Sequence, residues 1–218
     1  MVDAEDLKSF DRKVVRVQVS SWAHSMQMKQ SSPAIILDRD GTLCRDVVYM
    51  SRFEDFDPLP GVDAALRLLQ DAGYRLFVAT NQSGVARGMF PLETVERLNA
   101  KIWEYFLEKG VNIEDFAVCP HHPEGTVPAY SMDCDCRKPK PGMLLDLARK
   151  HNLDLSRSFM VGDMPRDVEA GLAAGAEGVF IPVKDGGFSL DNNARLKEFK
   201  SLLDFARSVR GADASHVS

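Results

Sequence analysis

The sequence predicts an α/β fold in which a parallel β-sheet lies between two layers of helices, a three-layer, Rossmann-like arrangement. Short apolar segments of strand length recur along the chain, and segments with a helical spacing of apolar residues lie between them. Strands that alternate with helices form right-handed crossovers, which make the strands parallel and cover both faces of the sheet. The chain has 218 residues, of which 44% are hydrophobic, and this is enough for one core of ordinary size.

Two amphipathic helices are predicted at residues 61–73 and 91–110, and each segment ends in a glycine. Ligands of parallel sheets bind at the carboxyl ends of the strands, so the residues that follow each strand are candidates for a functional site. Five apolar segments are predicted to be buried strands: AIIL (34–37), YRLFVAT (74–80), DFAVC (115–119), SFMVG (158–162) and EGVFIPV (177–183).

Composition excludes several classes of function. The formal net charge is -5 with Lys and Arg dispersed along the chain, so the basic surface of a nucleic-acid binder is not expected, whereas a small anionic substrate is compatible. No apolar run approaches the ~20 residues of a membrane span, and the N-terminus MVDAEDLKSFDRK lacks the apolar centre of a secretory signal. We therefore expect a cytoplasmic protein, in which clustered cysteines indicate metal or redox chemistry rather than disulfides.

Polar motifs follow the predicted strands in a fixed order. An aspartate pair at the end of a strand is, by itself, equally typical of a turn or a helix cap. Here four motifs fall at the same predicted edge of the sheet, which favours a single site. They are Asp38-Arg39-Asp40-Gly41-Thr42, Thr80-Asn81-Gln82-Ser83-Gly84, Arg137-Lys138-Pro139 and Gly162-Asp163.

This ordered set resembles the haloacid dehalogenase superfamily of phosphotransferases over about residues 33–183. The resemblance implies that Asp38 is the nucleophile that attacks phosphorus. It also implies that Asp40 is the general acid/base, which protonates the leaving alkoxide and later activates water. The presence of Asp40 favours hydrolysis of phosphate esters over dehalogenation.

The same resemblance implies a magnesium ion and two phosphoryl-binding side chains. Mg²⁺ prefers oxygen ligands and would neutralise charge between two anions, and Asp38, Asp40 and Asp163 are the residues implied to hold it. Thr80 and Lys138 are implied to bind the oxygen atoms of the transferring phosphoryl group.

Three cysteines and a histidine form a second candidate metal site. Cys119, His121, Cys134 and Cys136 supply three thiolates and one imidazole, the donor set of a closed tetrahedral zinc site. Spacing leaves His122 as a rival ligand and reduced, metal-free thiols as an alternative. The run CPHHP resembles the zinc loop of one capless branch of the superfamily, in which the first histidine is the ligand. Zinc would then order the loop 119–136 and position the Arg-Lys pair that follows it.

The chain is too short between its first two motifs to hold a cap domain. We expect a capless phosphatase domain at 33–210, closed by the zinc loop and by loops 45–61 and 85–90. An extension at 1–32, with the strand-like VVRVQV (14–19), is a candidate for self-association, and residues 211–218 are expected to be a solvated tail. Cys44 is predicted to be a packed or loop cysteine rather than a ligand.

Two families of the capless zinc-bearing branch differ in substrate. The runs TNQSGVARGMF, CPHHPEG and CDCRKPKPGM resemble the D-glycero-D-manno-heptose 1,7-bisphosphate phosphatases, which implies hydrolysis of the 7-phosphate through an aspartyl-phosphate. Histidinol-phosphate phosphatases are the alternative, but they carry an acidic residue at the position of Ser83. The residues expected to contact the sugar bisphosphate are Asn81, Gln82, Arg87 and Arg137. One departure is Met164, where the heptose enzymes commonly carry Lys.

Two further functions are disfavoured. A non-catalytic phosphosugar-binding module would be expected to lack the nucleophile or the acid, and this chain retains both. A polynucleotide 3′-phosphatase shares the first motif but needs a basic groove, which the acidic balance of this chain does not favour.

Overall fold

The computed structural model describes residues 31–182 and 195–213, the last three by their backbone alone. Six parallel strands form one sheet in the described residues, in the order β3-β2-β1-β4-β5-β6. The strands are β1 Ala34–Leu37, β2 Arg75–Asn81, β3 Ile113–Cys119, β4 Phe159–Gly162, β5 Glu177–Phe180 and β6 Leu196–Glu198.

Five α-helices connect or follow these strands in the described residues. Pro91 precedes α2, and Gly73 and Gly110, just beyond α1 and α2, have positive φ angles of 86° and 76°. The glycines at the ends of both predicted helices therefore terminate them as expected. The helices are α1 Val62–Asp71, α2 Leu92–Glu108, α3 Gly142–His151, α4 Pro165–Ala174 and α5 Leu202–Asp213.

The predicted three-layer arrangement is confirmed by the central strand. Ile35 and Leu37 on β1 join the apolar cluster formed with α1, α2 and α5, whereas Ala34 and Ile36 join the cluster formed with α3 and α4. Successive side chains of a strand point to opposite faces, so this division places one layer of helices on each face. All four side chains are fully buried, which explains why the strand reads as a continuous apolar run.

The five predicted strands are confirmed, with shifts at their ends. Strand β3 begins at Ile113 rather than at residue 115. Its second residue, Glu114, is exposed and pairs with Arg75 of β2, so the start of this strand does not read as apolar. The predicted strand 177–183 ends at Phe180, and residue 183 lies outside the described residues.

Several elements were not predicted. Strand β6 has three residues, two of them exposed, and thus lacks an apolar pattern. Helix α5 packs on α1 and extends through Asp213, three residues into the predicted tail. The predicted strand at 14–19 lies outside the described residues. The self-association expected of the extension therefore stays a prediction.

No separate cap is present between β1 and β2. The connection consists of a loop, a short 3-10 turn at Phe53–Asp55 and α1, as expected from the spacing of the motifs. In the part of the chain that the structure describes, no helix has both the length and the apolar character needed to cross a membrane.

Candidate active site

The central strands bring the sequence motifs together at one edge of the sheet. Strand β1 lies between β2 and β4, so Asp38 after β1, Thr80 near the end of β2 and Asp163 after β4 follow neighbouring strands. The backbone N–H of Asp38 donates to the carbonyl oxygen of Val161 at 2.8 Å, which continues the sheet up to the candidate nucleophile.

Lys138 is held in this site by three oxygen atoms. Its Nζ lies 2.8 Å from Asp38 Oδ1, 2.7 Å from Asp167 Oδ1 and 2.6 Å from the carbonyl oxygen of Ala79. The side chain is completely buried. Burial lowers the pKa of Lys138, but the carboxylates of Asp38 and Asp167 outweigh it and raise that pKa above the usual range. The residue is therefore a fixed, fully charged cation beside the nucleophile.

Asp38, Asp163 and Asp167 place a carboxylate oxygen each within 4.8 Å of one another. Burial raises the pKa of Asp38 to about 7; the charge of Lys138 opposes this, while the negative charge of Asp167 adds to it. Burial likewise raises the pKa of Asp163 to about 6, and Asp167 raises it further. Three carboxylates thus face one ammonium group, an imbalance that a divalent cation would correct.

Asp163 carries a free acceptor in this cluster. Its Oδ1 is buried and has no hydrogen-bond partner among the described residues. A Cβ atom placed on Gly41 would lie 2.3 Å from Asp163 Oδ2, so glycine in the first motif allows the carboxylate to approach. The oxygen donors and the unpaired acceptor fit Mg²⁺, which prefers carboxylate ligands.

Asp40 is held by a second group of side chains. Arg39 donates from Nε to Asp40 Oδ1 and from Nη2 to Asp40 Oδ2, both at 2.9 Å, and from Nη1 to Asn99 Oδ1 at 2.9 Å. Gln82 Nε2 donates to Asp40 Oδ2 and to Thr80 Oγ1, both at 2.8 Å. Both oxygens of the candidate acid/base are therefore fixed, and Gln82 links Asp40 to Thr80 by hydrogen bonds.

Asn81 lines the cleft, but its carboxamide is hydrogen-bonded to the backbone of Lys138. Its Oδ1 accepts from the backbone N–H of Lys138, and its Nδ2 donates to the carbonyl oxygen of Lys138, both at 3.1 Å. The carboxamide therefore fastens the end of β2 to the segment that carries the buried lysine.

A cleft of about 240 Å³ opens above these groups. Of the three loops expected to close the site, residues 46–50 line this cleft directly, including the exposed Val48 and the half-exposed Tyr49. The 119–136 loop and the 85–90 loop do not line it, but they contact each other, because the backbone N–H groups of Thr126 and Val127 donate to the carbonyl oxygen of Ala86. Asp38, Asp40, Thr80, Asn81, Gln82 and Arg166 also line the cleft.

The two arginines expected to bind substrate lie beside the cysteine loop. Arg137 Nη1 donates to the carbonyl oxygen of His121 at 3.2 Å. Arg87 Nη2 lies 3.3 Å from His122 Nε2 and 3.7 Å from the exposed Glu124, while its Nε is buried without an acceptor in the described residues.

The structure brings His121, rather than His122, to the three cysteines. The Sγ atoms of Cys119, Cys134 and Cys136 and the Nδ1 of His121 lie within 4.8 Å of one another, with Sγ···Sγ distances of 3.2–3.6 Å. Zinc–thiolate bonds of about 2.3 Å would give tetrahedral edges of roughly 3.7 Å, so the cluster is close to the size required. Burial raises the pKa of the Cys119 and Cys136 thiols. Cys44 is buried in the core, as predicted.

Sequence reasoning gave no role to three buried polar residues of this site. Arg39 belongs to the first motif, but an arginine is usually exposed, so the sequence does not indicate that its side chain is buried and bonded to Asp40. Asn99 lies on α2, where a polar residue usually faces solvent, yet it is buried and accepts from Arg39. Asp167 follows Asp163 at a helical spacing of four, which was the one available signal.

Known proteins that are similar to this chain are hydrolases. Residues 135–202 match a family model described as HAD-hydrolase-like. The chain is 47% identical over 146 residues to the D-glycero-beta-D-manno-heptose-1,7-bisphosphate 7-phosphatase of Rhodopseudomonas palustris, covering 67% of this chain and 81% of that enzyme. It is 40% identical over 150 residues to the D-glycero-alpha-D-manno-heptose-1,7-bisphosphate 7-phosphatase of Photorhabdus laumondii, covering 69% and 81%.

A solved structure supports the same relationship. The crystal structure of D,D-heptose 1,7-bisphosphate phosphatase from B. bronchiseptica, complexed with magnesium and phosphate, is 30% identical with a TM-score of 0.70. The match covers 83% of this chain and 99% of that one. The fold and site are those of a haloacid dehalogenase-like phosphoric monoester hydrolase. Within that class, the chain belongs to the family of the heptose-1,7-bisphosphate 7-phosphatases.

Proposed function

We propose that this chain hydrolyses the 7-phosphate of D-glycero-D-manno-heptose 1,7-bisphosphate through an aspartyl-phosphate on Asp38. The observation that carries the proposal is the 47% identity to an enzyme named for this activity, over 81% of its length. Residues 33–210 are the catalytic domain in this proposal.

Asp38 attacks phosphorus in the first step. Lys138 occupies Asp38 Oδ1, so Oδ2 is the oxygen that forms the new bond to phosphorus. The bond between phosphorus and the sugar oxygen O7 breaks, and its electron pair passes to O7, which takes a proton from the Asp40 carboxyl group. Thr80 Oγ1 and the positive charge of Lys138 would stabilise the oxygen atoms of the transferring phosphoryl group.

Water attacks the phosphorus of the aspartyl-phosphate in the second step. The Asp40 carboxylate takes one proton from the water molecule as the new bond forms. The bond between phosphorus and Asp38 breaks, and its electron pair restores the Asp38 carboxylate. Inorganic phosphate leaves, and Asp40 again carries the proton needed for the next turnover.

Two metal ions belong to this proposal. Asp38 and Asp163, with the backbone or side chain of Asp40, would hold Mg²⁺, which supplies charge neutralisation between the carboxylates and the phosphate. The cysteines and His121 would hold Zn²⁺, which has no open coordination position in such a set and orders the loop that leads to Arg137 and Lys138. The unpaired Asp163 Oδ1 supports the first assignment, and the clustered thiols support the second.

The four residues predicted to bind substrate have different roles in this proposal. Arg137 and Arg87 would supply positive charge for the non-reacting phosphate, by the bidentate contacts that guanidinium groups make. Gln82 would act through Asp40 and Thr80, to which it is bonded. We assign Asn81 a positioning role, because its carboxamide is engaged by the backbone of Lys138.

The test is a phosphate-release assay on the α and β anomers of the heptose bisphosphate, on other sugar bisphosphates and on histidinol phosphate. We expect the highest kcat/KM on a heptose bisphosphate, with ³¹P NMR showing that the sugar product keeps its 1-phosphate. Comparable or faster turnover of histidinol phosphate would reject the proposal in favour of that family.

A further inference from the structure

Arg166 is the only cationic side chain among the described residues that line the cleft. The lining otherwise includes three aspartates, Asp38, Asp40 and Asp46. Arg166 is the second residue of α4, and no Asp or Glu among the described residues lies within ion-pairing distance of it. Its Nε is buried and has no hydrogen-bond acceptor in the described part of the chain. The guanidinium group thus carries a positive charge that no carboxylate of the described residues neutralises by direct contact, and it lines the cleft, where a bound anion could pair with it.

Two more guanidinium groups share this neighbourhood. Arg137 is partly buried and lies close enough to Arg166 and Arg87 for their positive charges to act on it. Arg87 Nε likewise has no acceptor among the described residues. The positive charges of Arg137 and Arg166 therefore repel each other, and an anion bound between them would relieve that repulsion.

The reacting phosphate does not satisfy this requirement. It has to lie at Asp38 and Thr80, where Lys138 already supplies a buried cation. Met164, directly after Asp163, is apolar and partly exposed, so the start of α4 has positive charge from Arg166 alone. A substrate with a second phosphate would bring the missing negative charge.

We propose that Arg166, together with Arg137, binds the non-reacting phosphate of the sugar bisphosphate and thereby selects bisphosphates over monophosphates. This inference rests on the proposed function. Arg166 is a substrate-binding residue in this assignment, and its guanidinium group pairs with the phosphate.

The experiment compares D-glycero-D-manno-heptose 1,7-bisphosphate with the 7-phosphate of the same sugar, which lacks the second phosphate. We expect Arg166→Met to raise KM for the bisphosphate by about 10- to 100-fold, the range for loss of a charge-assisted contact, with kcat little changed. On the 7-phosphate the change should stay within about twofold. Arg166→Lys should recover part of the loss, since it keeps the charge.

Binding of the product gives a second readout without turnover. The heptose 1-phosphate keeps the relevant phosphate, so its inhibition constant should rise with Arg166→Met by a factor similar to that for KM. The matched control is Arg207→Met on α5, whose side chain is 66% exposed and pairs only weakly with Asp204 at 3.8 Å. That variant should match the wild type on both substrates.

The outcomes separate the two proposals. If the wild type does not hydrolyse the heptose bisphosphate, the proposed function fails and this inference fails with it. If the wild type is active but Arg166→Met has equal effects on both substrates, or none, the inference alone is overturned. An equal loss of activity on both substrates, accompanied by a changed Mg²⁺ requirement, would also overturn the inference. It would show that Arg166 acts on the charge of Asp163 instead.

Discussion

Arg39 donates one hydrogen bond to each carboxylate oxygen of its neighbour Asp40, both at 2.9 Å. The arginine side chain is fully buried, whereas that of Asp40 is 20% exposed toward the cleft. A paired guanidinium contact fixes both the position and the orientation of a carboxylate. The Asp40 carboxylate, proposed as the acid/base, is thus fixed by Arg39 on its buried side, away from the cleft.

Replacing Arg39 with lysine keeps the charge and removes the two-pronged contact. We expect kcat on the heptose bisphosphate to fall by about tenfold or more, toward the 10²- to 10⁴-fold loss expected for Asp40→Asn. The loss should be smaller in aspartyl-phosphate formation from p-nitrophenyl phosphate, because its leaving group needs no proton. Rapid-quench measurement of the first turnover checks this difference, and equal losses on both substrates would contradict it. Arg207→Lys is the matched control, since that residue is exposed.

Asp38→Asn should abolish turnover while leaving the fold intact, because an amide cannot form the acyl phosphate. Loss of the negative charge also removes a partner of Lys138, but Asp167 and the carbonyl of Ala79 remain. We therefore expect a melting temperature within a few degrees of the wild type and no phosphate release above background. Substantial activity, with mass spectrometry excluding deamidation, would refute the nucleophile assignment.

Stability of the Mg²⁺-free protein should depend on pH through Asp38 and Asp163. Their pKa values rise from an ordinary 3.8 to about 7 and about 6, so the folded chain binds these protons more tightly than the unfolded chain. The stabilising contribution is complete below pH 3.8 and is lost as pH rises through 6 and 7. Relative to Asp163→Asn, the wild type should therefore lose thermal stability across this interval.

Mg²⁺ should reverse that loss, because it binds carboxylates and not carboxyl groups. We expect added Mg²⁺ to raise the melting temperature more at about pH 8 than at about pH 5. Asp146→Asn, which changes an exposed aspartate of α3, is the control and should keep the wild-type pH dependence. An equal Mg²⁺ effect at both pH values would count against a carboxylate site. Full enzymatic activity after thorough Mg²⁺ depletion would reject the catalytic ion.

The cysteine cluster should hold about one zinc ion per chain. Cys134→Ser and His121→Asn should each lower the zinc content and, since the loop carrying Arg137 and Lys138 loses its anchor, the activity. His122→Asn is the control for metal content, because His122 bonds to Arg87 and not to the cysteines. Elemental analysis of fresh, reduced protein checks all three. Absence of zinc from the wild type, or equal loss in the His122 variant, would oppose the assignment.

The residues proposed to take part in the reaction could be predicted from the sequence, because each lies in a short motif next to a strand. Alternation of apolar runs and helical patterns gave the parallel sheet, and a parallel sheet places the ends of its strands along one edge. That is why Asp38, Thr80 and Asp163 were expected together, and they lie together. The four zinc-binding candidates likewise follow from two pairs of closely spaced residues.

What only the tertiary structure decided is how polar side chains far apart in the chain share their partners. Lys138 and Asp38 are 100 positions apart, and Arg39 and Asn99 are 60 apart, so no local pattern indicates which donor meets which acceptor. Asn81, expected at the substrate, is engaged by the backbone of Lys138, and Arg166 lines the cleft with no carboxylate partner within ion-pairing distance among the described residues. Sequence periodicity records which residues are buried, whereas hydrogen-bond geometry depends on how the strands order themselves in the sheet, and that order is set by the packing of the whole core.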